Sequence, residues 1–256
     1  MPTNKQRQDA ARRHLERQLQ RRAEKDAARR RNTLIASVVG TLIVIAIVVV
    51  FVVSVTNDNN KGGAAAGSVP CSFTRAGSAA KKVDLPKSSV PGTGTVGVRI
   101  NTTQGNLAVS LDRASAPCTV ASFVSLVQQH YYDNTPCHRL VTSGIYVLQC
   151  GDPTGSGSGG PGYTVPDEAT GNETYPAGTV AMARTQQANS GGSQFFIVYK
   201  DSPNLAQNLG AQQYTVFGKV SSGLDTITKI AAGGAASGTD GAPKLATRIT
   251  SMTLAK

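Results

Sequence analysis

Residues Leu34 to Val55 read LIASVVGTLIVIAIVVVFVVSV, 22 residues without a charge. As a helix, at about 1.5 Å per residue, this run reaches roughly 33 Å, enough to cross the hydrocarbon core of a bilayer. The alternative is a secretory signal peptide, whose apolar region spans only about 7–15 residues behind a short charged flank. The GGAAAGS stretch beyond the run keeps later cleavage open, but a retained transmembrane helix is the expectation. Arg29, Arg30 and Arg31 abut one end, whereas Asn57 to Gly67 carries only Asp58 and Lys61. The positive-inside rule then holds residues 1–33 in the cytoplasm and exports everything beyond the span. The expected location is the cell membrane, single-pass, with the large C-terminal part extracytoplasmic and its four cysteines in an oxidising compartment.

The formal charge of +11 raises nucleic acid as a partner, but its distribution argues otherwise. Met1 to Arg31 holds eleven Lys/Arg against four Asp/Glu, whereas Leu85 to Lys256 holds eleven against nine. The excess sits in the tail, where topology accounts for it, and the main body has no basic stripe interleaved with aromatics. No nucleic-acid partner is expected. Residues 56–94 are rich in Gly, Ala, Ser, Lys and Pro and read as a linker.

From residue 95 the pattern changes. Val96, Val98 and Ile100 alternate with polar or small residues, and Leu107, Val109 and Leu111 do the same beyond Gln104-Gly105-Asn106, which predicts a β-hairpin. Ala116 to His130 places Val120, Phe123, Val124 and Val127 at helical spacing, with Pro117 at the entry. Short apolar runs follow at 139–141, 145–149, 179–183, 194–199 and 214–220. A second helix is predicted near 223–231 and a last strand at 246–254. Many short strands with two helices predict a closed barrel or sandwich with helices at its ends.

Five segments recur in a known order: Cys137-His138-Arg139-Leu140-Val141, Val147-Leu148-Gln149-Cys150-Gly151-Asp152, Gly178-Thr179-Val180-Ala181-Met182-Ala183, Gly192-Ser193-Gln194-Phe195-Phe196-Ile197 and Val216-Phe217-Gly218-Lys219-Val220. Over 95–256 the chain resembles the cyclophilins, in particular the membrane-anchored, cell-envelope type of actinobacteria. The resemblance implies a mainly-β domain, an eight-stranded antiparallel barrel capped by two helices, preceded here by the transmembrane helix. It also implies peptidyl-prolyl cis-trans isomerase activity, without a cofactor or metal, on proline-containing polypeptides.

Carried over residue by residue, Arg139 matches the family's catalytic arginine. The matching substrate-binding positions are Tyr146 and Val147 (a Phe-Met pair in most members), Gln149, Ala183, Arg184, Phe196, Leu205 and Tyr214. Three departures stand out, one of them an Asn204 to Gln213 loop longer than is usual in the family. Two extra residues lie between Arg139 and Gln149, in the Thr142-Ser143-Gly144 turn. Asn204 stands where cyclosporin-sensitive members have tryptophan, so weakened cyclosporin binding is expected.

These residue types suit a bond rotation. Phe195 is expected in the core, opposite to Phe196 by strand alternation. His138 is expected to be structural, and His14 and His130 are too isolated to form a metal site. The GSGSGGPG run at 155–162 has the glycine density of a phosphate-cradling loop but neither its lysine nor a helix start behind it, and it is expected to be a flexible loop. The cysteines lack CxxC spacing, and four of them allow three connectivities. One pairs Cys137 with Cys150 across a predicted hairpin and leaves Cys71 for Cys118; the others stay open at this point. A proline-peptide-binding module with little turnover is the alternative to an enzyme.

Overall fold

The computed structural model describes residues 67–207 and 213–255. The basic tail and the apolar run 34–55 lie outside the described residues. Among the described residues no helix is long and apolar enough to cross a membrane.

The predicted hairpin is the longest pairing in the molecule. Strand β4 (Thr95–Thr102) runs antiparallel to β5 (Gly105–Asp112), from Thr95 opposite Asp112 to Thr102 opposite Gly105. Side chains alternate across a strand, so this register gathers Val98, Ile100, Leu107, Val109 and Leu111 on one face, and all five are buried. Helix α1 (Pro117–Gln128) buries Val120, Phe123, Leu126 and Val127. The Phe123 ring centre lies 4.9 Å from that of Tyr132 and 5.2 Å from those of Phe195 and Phe217. No side chain of its own caps α1. Instead, the Glu168 carboxylate accepts the N–H groups of Cys118 and Thr119, each at 2.8 Å, a favourable charge at a helix start.

The remaining strands of the main sheet are β6 (Thr135–Pro136), β7 (Arg139–Ser143), β8 (Ile145–Cys150), β10 (Thr179–Met182), β11 (Phe195–Val198), β12 (Val216–Ser222), β13 (Asp240–Gly241) and β14 (Arg248–Leu254). Their order is β13-β7-β8-β11-β10-β12-β5-β4-β14-β6, all antiparallel. Edge strand β6 runs into β7 after two residues, so one chain segment links one edge of the sheet to the strand next to the other. Helices α2 (Asn204–Gln207) and α3 (Leu224–Ala232) complete a mainly-β half-barrel with three helices among the described residues. The expectation of eight strands and two helices is thereby corrected. Eight strands have four or more residues, but β6 and β13 extend the sheet to ten, and α2 is a third helix. Elements of two to four residues are too short to leave a periodic pattern.

The stretch read as a linker is built structure from residue 67 onward. Strand β1 (Ser68–Pro70) pairs with β3 (Ser89–Pro91), and β2 (Thr74–Arg75) pairs with β9 (Tyr163–Thr164). Lys81 donates to the carbonyl oxygens of Tyr131, at 2.8 Å, and Asp133. Disulfides join Cys71 to Cys118 and Cys137 to Cys150. Apart from the β1–β3 pairing, the arm's partners lie about 50 residues or more away in sequence, so composition alone reads it as a spacer.

Candidate active site

Strand register assembles the candidate site. Arg139 on β7 stands opposite Gln149 on β8, Gln149 opposite Phe196 on β11, and Phe196 opposite Ala181 on β10. One row across four strands therefore carries a cation, an amide, an aromatic ring and a small residue. Alternation separates neighbours: Phe195 joins the interior cluster, while Phe196 joins a second cluster with Val141, Val147, Ala181, Val198 and Leu205 on the other face. Tyr214 sets its ring edge-on to Phe196, with centres 5.0 Å apart.

A cavity of about 130 Å³ opens on this face, and it is lined by Arg139, Val147, Gln149, Ala183, Arg184, Phe196, Leu205 and Tyr214, together with Ile145. Eight of the nine expected positions meet there. Tyr146 does not, which corrects its assignment. Alternation along β8 puts Ile145, Val147 and Gln149 on the cavity face and turns Tyr146 away, where its ring meets Tyr199 at 6.0 Å and lies under the Lys200 ammonium at 4.5 Å. Neighbours on an extended strand face opposite ways, so Val147 keeps the pocket face and Ile145, two residues before it, stands there in place of Tyr146.

The guanidinium of Arg139 is held on two sides. Nε donates to Asp240 Oδ1 at 2.8 Å, Nη2 to Asp240 Oδ2 at 2.7 Å, and Nη1 to Gln149 Oε1 at 3.3 Å. Three of its five N–H groups take these bonds, leaving two for a ligand. The hydrogen bond from Arg139 holds the Asp240 carboxyl below the usual carboxylate range, and the same bond raises the guanidinium pKa further. Gln149 Nε2 donates onward to Gln194 Oε1 at 2.9 Å, and Gln194 Nε2 donates to the carbonyls of Gly157 and Gly159.

That glycine loop is tied down rather than free. The Asp152 carboxylate accepts N–H groups from Thr154 at 2.7 Å, Gly157 at 2.7 Å and Gly159 at 3.0 Å. A Cβ on Gly159 would lie 2.0 Å from Asp152 Oδ1, so only glycine fits there. Burial works against charge on Asp152, but these bonds and the Thr154 hydroxyl keep its pKa below the ordinary value. Burial lowers the pKa of His138, which packs under Gly157.

Besides Ile145, sequence reasoning missed Asp240. It lies 101 residues from Arg139 in a Gly- and Ala-rich stretch without periodicity, so no local signal marks it. Both members of the pair are about half exposed, 41% and 49%, and such a pair contributes only about 0.2–1 kcal/mol to stability. Its effect is to aim the guanidinium. If the site acts on prolyl peptides, as the resemblance implies, Asp240→Ala is expected to lower kcat/KM on one about tenfold while leaving the melting temperature nearly unchanged. The depressed Asp240 pKa means the pair is complete above the ordinary carboxylate value, about 3.9, and is lost as pH falls through the lower folded value. Activity is therefore expected to be flat from neutral pH down to about 4; a fall between pH 6 and 7 would contradict this arrangement.

The comparisons agree with this geometry. A family model described as cyclophilin type peptidyl-prolyl cis-trans isomerase/CLD matches residues 97–254. The chain is 43% identical over 199 residues to a probable peptidyl-prolyl cis-trans isomerase B of Mycobacterium leprae, covering 71% of this chain and 65% of that one. With the Mycobacterium tuberculosis protein of the same description, strain H37Rv, it shares 45% identity over 193 residues, covering 69% and 60%. The chain thus spans somewhat under two thirds of the length of these relatives. A crystal structure of a Cryptosporidium parvum cyclophilin type peptidyl-prolyl cis-trans isomerase superposes with a TM-score of 0.55 at 30% identity, covering 64% of this chain and 99% of that one. A second structure of that protein, in the presence of the dipeptide Ala-Pro, gives 0.55 at 32%, covering 62% and 99%. Five motifs in order, the cross-strand row and the family match together place the chain in the cyclophilin-type peptidyl-prolyl cis-trans isomerase family.

Proposed function

We propose that this chain catalyses cis-trans isomerisation of Xaa-Pro bonds in exported polypeptides and assists their folding in the cell envelope, held at the membrane by residues 34–55. The observation that carries the catalytic reading is the row Arg139, Gln149, Phe196 beside a cavity of proline size.

Rotation about a peptide bond faces a barrier of about 18–20 kcal/mol because amide resonance is lost midway. In the twisted state the prolyl nitrogen carries a localised lone pair. A donor aimed at that nitrogen binds the twisted form better than either planar form, and this difference is what accelerates the step. Arg139 suits the task because it stays charged and presents a rigid fork of N–H groups, here fixed by Asp240 and Gln149. Phe196, Val147, Ile145 and Leu205 grip the pyrrolidine ring so that the chain on one side turns while the ring stays seated. Gln149 and Tyr214 offer hydrogen bonds to the carbonyls beside it. Lowering the barrier by roughly 7 kcal/mol would accelerate the step about 10⁵-fold. The test is a prolyl tetrapeptide assay on the full-length chain, in which relaxation at the uncatalysed rate would leave only a binding module.

Support for export comes from the charge flanking the apolar run and from two disulfides, which persist in oxidising compartments. Protease added to intact spheroplasts is expected to digest the C-terminal domain and spare the basic tail; a protected domain would contradict the orientation. The domain's cyclosporin response follows from Asn204, whose Nδ2 donates to the Gly144 carbonyl at 3.0 Å and ties α2 to the enlarged β7–β8 turn. With this amide in place of an indole, inhibition is expected to be at least about tenfold weaker than for a tryptophan-bearing cyclophilin. An equal inhibition constant in a side-by-side titration would refute it.

A further inference from the structure

Gln149, Ala183 and Arg184 line two cavities: the 130 Å³ pocket described above and a larger one of about 490 Å³. The glycine loop at 157–162 bounds the larger cavity on one side and residues 190–194 bound it on another. Ala76, Gly77 and Ser78 of the N-terminal arm form a further wall. The arm docks on the glycine loop as an added edge strand. Thr74 pairs with Thr164 and Arg75 with Tyr163. Ala76 N–H donates to Gly162 O at 3.0 Å, and Ala80 N–H donates to Gly160 O at 2.9 Å. Gly162 has φ +79°, and a Cβ there would come within 3.0 Å of Ala79 Cβ, so glycine permits this close approach. The Cys71–Cys118 disulfide then ties the arm covalently to α1.

We infer that this tethered arm is a selectivity element, with residues 76–78 forming the outer wall of the site for the polypeptide that flanks the proline. The inference rests on the isomerase reading of the small pocket. A polypeptide seated there leaves past Gln149, Ala183 and Arg184, because those residues border both cavities, and enters the space the arm closes. Short prolyl peptides end before reaching it; extended chains meet it. The wall is small and uncharged, and the cavity's one charged lining residue, Arg184, already pairs with Asp167 at 3.2 Å. A charged flanking residue would be desolvated without a counter-charge, so the arm selects extended chains whose flanking residues are uncharged.

The test compares three substrates on the full-length chain: a prolyl tetrapeptide, and the same peptide lengthened by four uncharged residues on its amino or its carboxyl side. The variants are Cys71→Ser/Cys118→Ser, which cuts the arm's covalent tie and leaves it held by hydrogen bonds alone, and Ser78→Trp, which fills the cavity without touching the tether. For both, tetrapeptide kcat/KM is expected to stay within about twofold of wild type. One of the two lengthened substrates is expected to lose about fivefold or more, through KM. Should the double serine variant fail to fold, Ser78→Trp decides alone. If both lengthened substrates follow the tetrapeptide in Ser78→Trp, the inference is overturned. Calorimetric binding of the same peptides reads the wall even if the wild-type chain turns over none of them. That outcome would sink the isomerase reading while leaving the wall measurable.

Discussion

Arg139→Ala is expected to lower kcat/KM on a prolyl peptide by about 10²–10³-fold, the usual cost of removing one donor aimed at charge that develops only in the transition state. The fall should appear in kcat, with KM and peptide affinity changed little, because the planar ground states do not need the guanidinium. Arg139→Lys is expected to recover little of it. An ammonium has no planar fork and cannot reproduce the paired bonds to Asp240 at 2.8 and 2.7 Å. Both variants should keep near-wild-type melting temperatures, since the ion pair is half exposed. A variant that lost affinity and stability together would show Arg139 to be a packing residue instead.

The second large effect separates two adjacent phenylalanines. Phe195 is 1% exposed and stacks edge-on to Phe123 inside the sheet. Phe195→Ala is expected to cost about 3–5 kcal/mol of unfolding free energy, because the cavity left behind is closed on all sides. Phe196 faces the other way and bounds a cavity open to solvent, so water can occupy part of the space its removal leaves. Phe196→Ala is expected to cost clearly less stability but about 10²-fold in kcat/KM, since the proline ring loses the surface that holds it still. Chemical denaturation and steady-state kinetics on the pair check both halves. Equal stability losses would mean the two faces of β11 are packed alike.

Much of this was legible in the sequence, and where it failed the reasons are physical. Period-two patterning located the β4–β5 hairpin and set Phe195 against Phe196, because alternation is a local property of an extended chain. Helical spacing located α1. The family resemblance led to the positions of Arg139, Val147, Gln149, Ala183, Arg184, Phe196, Leu205 and Tyr214, eight of the nine lining positions. Tyr146 was misplaced because it and Val147 are neighbours on one strand, where alternation lets only one of the two face the cavity. Asp240 and the arm were not visible for a shared reason. Their partners lie about 50 to 100 residues away, and Gly, Ala and Ser carry no pattern of their own. The arm's docking depends on Gly162 and on Cys118, neither of which marks a contact with residues 71–80 until the fold brings them together. The membrane span rests on length and flanking charge and falls outside the described residues.

The central claim is that Arg139, fixed by Asp240 and Gln149 over a proline-sized pocket, accelerates rotation rather than merely holding a peptide. Exchange between the cis and trans forms of a prolyl peptide, measured by NMR with catalytic amounts of the full-length chain, tests it most directly. The account predicts exchange many times faster than the uncatalysed tens to hundreds of seconds, and its collapse in Arg139→Ala while the peptide still binds. Binding without faster exchange in the wild-type chain, or undiminished exchange in Arg139→Ala, would contradict it.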